Sequence, residues 1–130
     1  GGKYIAPQHL ETLRKQDYFI EQAAVIGDNR KYVSALIVPA FEALETYAKK
    51  AGIAYAGREE LVKNPEILKF YREKIDLITK ELGQVEKVKR FTLLPAEFTQ
   101  ENNEITPTQK IKRKVINERY GAVIESMYAE

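Results

Sequence analysis

Cysteine is absent from this chain, and histidine occurs once, at His9. The first absence excludes a disulfide framework and any thiolate zinc site. The second excludes a metal centre built on several imidazoles. Together they remove most nucleophilic schemes, because one histidine would have to serve any serine and no thiol is present. On its sequence neighbours Gln8 and Glu11, His9 reads as a surface residue. No apolar run approaches the ~20 residues that span a bilayer, and no signal-peptide core is visible. A reducing, cytosolic setting is compatible with this composition. Neither sign of charge dominates: 21 Lys and Arg stand against 19 Asp and Glu, a formal net charge of +2. That balance argues against a dedicated nucleic-acid binder, which usually carries a basic excess. The glycine-rich phosphate loop, the dinucleotide fingerprint and the nucleophile elbow are all missing. Internal repeats, low-complexity tracts and a dividing linker are missing too.

What is present suits one folded unit. The 130 residues allow a single domain with a modest core. A hydrophobic share of 44% beside 31% charged residues reads as globular rather than disordered. The chain opens Gly1-Gly2 without methionine, which suggests a piece of something longer. Pro7 suits the first position of a short helix.

Residues 18–27 read as a strand, Asp28-Asn29-Arg30-Lys31 as a turn, and residues 32–38 as a second strand. The second strand is almost continuously apolar, so it is expected at the centre of the sheet, buried on both faces. Pro39 stops it. Phe41, Leu44, Ala48 and Ala51 recur at helical spacing, with Gly52 placed to close the helix. Residues 58–63 form at most a short helix. Asn64-Pro65 pairs a capping side chain with a first-turn proline. The spacing Ile67, Tyr71, Ile75, Ile78, Leu82 then predicts an amphipathic helix ended by Gly83. A third strand spans 89–94 and stops at Pro95. The last stretch, 112–127, is one helix or two broken near Tyr120-Gly121, with Val115, Ile116, Val123, Ile124 and Met127 facing the sheet. The expected fold is a small α+β domain, an antiparallel sheet of about three strands flanked by helices.

The most distinctive stretch is Thr106-Pro107-Thr108-Gln109-Lys110-Ile111-Lys112-Arg113-Lys114, after the polar turn 99–104. Pro107 has no N–H to give and biases its predecessor to extended backbone, so no helix starts earlier. Lys110 therefore falls on a loop leading into a helix. Three readings are open for so basic a stretch: a solvated first turn, a phosphate-binding patch for nucleic acid, or a family motif.

On the third reading, these residues resemble the last core motif of the AMP-forming acyl-CoA ligases, Pro-x-Thr-x-x-Gly-Lys-Ile-x-Arg. Lys110 matches the family's catalytic lysine, and Ile111 and Arg113 match its Ile-x-Arg. Gln109 stands where most relatives have glycine. The long-chain fatty acyl-CoA ligases are similar in lacking it, and the departure weakens the case for a tight glycine turn before Lys110. Asn103 likewise replaces a frequent glycine, and asparagine tolerates the left-handed backbone such a turn needs. At the other end, Gly2-x-x-Ile5-x-Pro7-x-x-Leu10-Glu11 looks like the close of a second motif, just past the family's hinge. The block Gly27 to Pro39 is similar to the long-chain branch in particular.

The resemblance implies a fold and a role for residues 1–130. It implies the mobile C-terminal lid domain of an adenylate-forming enzyme, partnered by an N-terminal domain that binds ATP and the acyl chain. With ATP, Mg2+ and coenzyme A, such a ligase turns a fatty acid into acyl-AMP and then into a thioester. Lys110 is the implied catalytic residue, and Gly2 lines the implied path of the coenzyme A pantetheine arm. The lid alone is expected to be inactive, to hold no metal and to bind no nucleic acid. The whole enzyme is expected in the cytoplasm, with peripheral membrane association. Two alternatives remain at this point. One is a small nucleic-acid-binding module using the basic clusters 87–90 and 110–114. The other is a ligase of the same superfamily acting on a medium-chain or aromatic acid.

Overall fold

The computed structural model of the chain describes residues 17–27, 30–81 and 87–129. The most deeply buried element is β2, Val33–Pro39, in which all seven residues are buried. Its burial follows from its place: the sheet order puts it between β1, Ile20–Ile26, and β3, Val88–Leu93. A strand covered on both edges and both faces must be apolar throughout, as Val-Ser-Ala-Leu-Ile-Val-Pro nearly is. Ser34 is the exception, and its hydroxyl donates to the Tyr128 hydroxyl at 2.9 Å.

The hairpin expected from residues 18–38 is present: β1 and β2 pair antiparallel from Ile20↔Pro39 to Ile26↔Ser34. An all-antiparallel sheet is not. β3 pairs with β2 in parallel, Ser34↔Arg90 through Ile37↔Leu93, so the three-stranded sheet is mixed. The reason lies in the connection. Between β2 and β3 the chain runs through α1, Phe41–Lys50, α2, Arg58–Leu61, and α3, Pro65–Glu81. A crossover of that length carries the chain back to the same end of the sheet, whereas only a short turn obliges it to reverse.

The helices keep to their sequence signals. Gly52, just past α1, has φ +73°, the left-handed closing residue that glycine supplies at no steric cost. The Asn64 side chain accepts from the backbone N–H groups of Glu66 at 2.8 Å and Ile67 at 3.4 Å, capping α3. Ile67, Tyr71, Ile75 and Ile78 are buried along one face. Leu82 and Gly83, expected to end that helix, lie outside the described residues. At the C-terminal end the chain forms two helices, α4, Arg113–Arg119, and α5, Gly121–Tyr128, which meet at Tyr120. No helix among the described residues is long and apolar enough to cross a membrane.

Candidate functional site

The basic motif folds as a tight hairpin projecting between β3 and α4. Ile105 and Ile111 form an antiparallel bridge at its base. Thr106 N–H donates to Lys110 C=O at 2.9 Å, and Gln109 N–H donates to Thr106 C=O at 2.8 Å. Lys110 N–H donates to the Thr106 hydroxyl at 3.0 Å, and the Thr106 and Thr108 hydroxyls lie 3.1 Å apart. This is the pattern of a three-residue loop with proline early in the turn and a left-handed residue at its exit. Gln109 is that residue, with φ +66°. The tight turn thus survives without glycine, and the doubt that Gln109 raised about it is answered. Asn103 also adopts the left-handed region, at φ 61°, as its residue type allows.

The base of the hairpin is held by a carboxylate that receives a full set of donors. Glu104 is completely buried. Its Oε1 accepts from Thr99 N–H at 3.0 Å, and its Oε2 accepts from the Tyr120 hydroxyl at 2.7 Å and faces Arg119 Nε at 3.2 Å. Its own N–H donates to Thr99 C=O, and its C=O accepts from Lys112 N–H, both at 2.9 Å. Burial first, and the neighbouring Glu104 carboxylate second, push the Tyr120 phenol up to about 12, so it stays a donor at neutral pH.

A second anchor comes from β1. The buried Gln22 amide donates to Phe98 C=O at 3.0 Å and accepts from Phe98 N–H at 2.6 Å, standing in for a strand partner. Phe98 packs edge-on against Tyr120 at 5.6 Å. Arg113 ties the first turn of α4 to Val25 C=O. The loop is therefore fastened to β1 through Gln22 and Arg113, and to the joint of α4 and α5 through Glu104.

Lys110 sits at the exposed exit of this fastened loop. Among the described residues its ammonium makes no hydrogen bond or ion pair. Lys112, two residues on, turns back and donates to the Asn103 side chain at 2.5 Å. The arrangement offers one cation, held by a rigid backbone on a flexible stem, to whatever approaches the tip. Gly2 and His9 lie outside the described residues. Among the described residues no three His, Cys, Asp or Glu side chains gather so as to hold a metal ion.

Sequence reasoning passed over Gln22, Glu104 and Tyr120. The signal for Gln22 was weak but present, a polar residue inside an otherwise apolar strand. For Glu104 there was none, since it sits in a run of polar turn residues and its burial depends on Thr99, Arg119 and Tyr120 arriving together. The basic clusters divide as well. Arg90 donates to Met127 C=O at 3.2 Å and Ala129 C=O at 3.0 Å, and Lys89 lies over the Tyr32 ring at 5.1 Å. In both clusters, cations that a sequence presents as one patch are partly spent on holding the fold.

Comparison with known proteins agrees with this outline. The model of the family described as AMP-binding enzyme C-terminal domain matches residues 1–130. The chain is 33% identical over 129 residues to the long-chain-fatty-acid–CoA ligase FadD15 of Mycobacterium tuberculosis, covering 98% of this chain and 22% of that protein. It is 33% identical over 132 residues to the peroxisomal long chain acyl-CoA synthetase 7 of Arabidopsis thaliana, covering 99% and 19%. The chain thus spans about a fifth of the length of these relatives. Among solved structures, it is similar to the adenylation domain of a carboxylate reductase from Mycobacterium chelonae, with TM-score 0.74, 25% identity and coverage of 97% and 18%. It is also similar to the A-PCP didomain of a Segniliparus rugosus carboxylic acid reductase in complex with AMP, with TM-score 0.70, 26% identity and coverage of 95% and 16%.

Proposed function

The chain belongs to the family of AMP-binding enzyme C-terminal domains, and from that membership we propose that it is the small mobile domain of an AMP-forming long-chain fatty acid–CoA ligase. Residues 1–130 form this single domain, and its partner is a larger N-terminal domain that binds ATP and the fatty acid. The Mycobacterium tuberculosis relative carries that ligase name, and the Arabidopsis thaliana relative is named a long chain acyl-CoA synthetase. The observation that carries the reading is Lys110, which matches the motif lysine and stands without a partner among the described residues on a hairpin closed by its own backbone bonds.

The chemistry of this chain's residues follows from that placement. When a fatty-acid carboxylate attacks the α-phosphate of ATP, two anionic groups are forced together and charge spreads over the oxygens between them. An ammonium already positioned there favours the crowded arrangement over the separated one. The fixed backbone of residues 105–111 sets where the stem begins, and the stem supplies reach. In the second step coenzyme A attacks the acyl-AMP, Lys110 is withdrawn by rotation of the domain, and Gly2 comes to the pantetheine path. Glycine there leaves room for a narrow arm to pass close to backbone. Magnesium accompanying the ATP would shield phosphate charge; the contribution of this chain is the Lys110 ammonium.

The two half-reactions separate the assignments in the whole ligase. Lys110→Ala should slow acyl-adenylate formation by about a hundredfold or more, the ~3 kcal/mol commonly lost with a charge-stabilising group. The same variant, supplied with preformed acyl-AMP and coenzyme A, should form thioester at close to the normal rate. Gly2→Leu should spare adenylation and block the thioester step. Equal loss of both steps in Lys110→Ala would reduce the residue to a docking role and overturn the rotating-domain reading.

A further inference from the structure

Residues 94–113 leave the sheet, build the Lys110 hairpin and enter α4. Leu94 N–H still donates to Ile37 C=O, at 2.8 Å. Pro95, Ala96 and Glu97 make no hydrogen bond among the described residues, so Phe98 is the next point at which the chain is fixed. One side chain fixes it. The Gln22 amide donates to Phe98 C=O at 3.0 Å and accepts from Phe98 N–H at 2.6 Å. Both residues are enclosed, Gln22 at 8% exposure and Phe98 at 2%. A buried amide destabilises a fold unless its ends are bonded, and here each end meets a backbone group that has no other partner among the described residues.

The strand itself is adapted to this contact. Ile20 pairs with Pro39 and Gln22 with Val38, so two steps along β1 match one along β2. A bulge of this kind re-aims side chains locally. It stands directly before Gln22, the one polar residue among the buried positions of β1. The far flank of the hairpin returns to the same strand, where Arg113 donates to Val25 C=O. Between these two pins the bonds are continuous. Phe98 leads into Thr99, whose N–H donates to the Glu104 carboxylate at 3.0 Å and whose C=O accepts from Glu104 N–H at 2.9 Å. Glu104 C=O in turn accepts from Lys112 N–H at 2.9 Å, two residues from Lys110.

We propose that Gln22 is a positioning residue for Lys110, whose amide sets where the hairpin stands against β1 during acyl-adenylate formation. The proposal rests on the ligase reading of Lys110. The lysine stem gives reach, and the backbone from which it starts gives direction. Displacing that backbone carries the ammonium away from the reacting oxygens, and a misplacement of about 1 Å can cost about a hundredfold in rate. Both ends of the Gln22 amide are engaged by Phe98, so the residue acts only through the hairpin. The thioester step, from which Lys110 has withdrawn, does not call on it. A Gln22 that merely supported the core would serve both steps alike.

The test has two arms. The first compares amide hydrogen exchange in this chain with that of Gln22→Met, which keeps the bulk of the side chain and removes both bonds. Exchange at Glu104, Thr106, Gln109 and Lys110, whose N–H groups are bonded within the loop, should quicken about tenfold, while Tyr71 and Ile75 on α3 stay unchanged. Gln22→Asn keeps the amide but stops one methylene short. It should move the same loop amides by less, and it takes the place of the methionine variant if that one does not fold.

The second arm uses the whole ligase. Gln22→Met should slow acyl-adenylate formation about tenfold, in kcat rather than in KM for ATP or fatty acid, and leave thioester formation from preformed acyl-AMP close to normal. In a Lys110→Ala background the same substitution should slow adenylation no further, because the group it positions is gone. Unchanged exchange in the loop would overturn the proposal, and so would equal quickening in the loop and on α3. Equal slowing of both half-reactions by Gln22→Met, or an effect that multiplies with that of Lys110→Ala, would overturn it too. Failure of the ligase reading has a different signature: Lys110→Ala alone would slow both steps equally, and the exchange pattern of the loop would be unaffected by that result.

Discussion

At Gln109 the hairpin takes a left-handed backbone that glycine would adopt freely. A side chain there costs roughly 1–2 kcal/mol, offset in part by the greater entropy glycine gives the unfolded chain. Gln109→Gly should therefore stabilise the chain by about 1 kcal/mol, visible as a higher urea midpoint at unchanged slope; a neutral or destabilising result would mean that the glutamine side chain contributes more than its backbone costs. Glu104 presents the opposite case. Its burial leaves the Tyr120 hydroxyl, Arg119 and Thr99 N–H dependent on one carboxylate. Glu104→Ala should cost about 2–3 kcal/mol, and on the proposed reading it should slow adenylation by the whole enzyme more than thioester formation, because the loop carrying Lys110 loses its base. Glu104→Gln keeps one acceptor oxygen, which can serve Tyr120 and Arg119 or Thr99 N–H but not all three donors, and should recover part of the stability. If Ala and Gln variants behave alike, the network around Tyr120 is not what holds the hairpin. The two positions differ in how far the sequence discloses them. A glutamine at a glycine position in a recognisable motif is visible at once, though its backbone is not. Nothing local distinguishes Glu104 from Glu101 three residues earlier, since only the fold decides which of them is enclosed.

Among the elements, α3 was the most legible, because its signals are local and agree. An asparagine cap, a first-turn proline and a repeating apolar face all specify a helix at Pro65. Ile75 lies fully buried in that face, so Ile75→Ala should lower stability by about 2–5 kcal/mol, read by chemical denaturation. A loss near zero would place that helix face outside the core. The direction of β3 was not legible. An apolar run bounded by turn residues fixes a strand, but parallel and antiparallel partners make the same local demands on it. What decides is the route of residues 40–87, and that is a property of packing between α1, α3 and the sheet rather than of any residue in β3. The division of the last helix at Tyr120-Gly121 was half legible. The sequence marks a weak point there, and Tyr120, whose ring and hydroxyl are held by Phe98 and Glu104, sits at the joint.

Across the whole molecule, buried tyrosine hydroxyls hold the seams between elements. Tyr71 on α3 donates to Phe19 C=O at 2.7 Å, just before β1. Tyr128 at the end of α5 donates to Tyr32 C=O at 2.8 Å, at the start of β2. Tyr120 joins α4 and α5 to the hairpin base through Glu104. Burial is the first cause in raising all three phenols above their ordinary value, Tyr120 to about 12. A phenolate could not donate any of these bonds. Because each folded value lies above the unfolded one, the unfolded chain releases these protons first as pH rises. Their contribution to stability is complete below pH about 10 and, for Tyr120, is lost as pH climbs through about 12. Alkaline titration should show tyrosinate absorbance appearing in two phases, the second coinciding with loss of the far-ultraviolet circular dichroism signal. Tyr120→Phe removes one such group, so its stability should fall less steeply than that of the parent between pH 10 and 12. If all eight tyrosines ionise in a single phase while the secondary structure persists, the hydroxyls do not hold these seams, and the packing of β2 between its neighbours must hold the elements together without them.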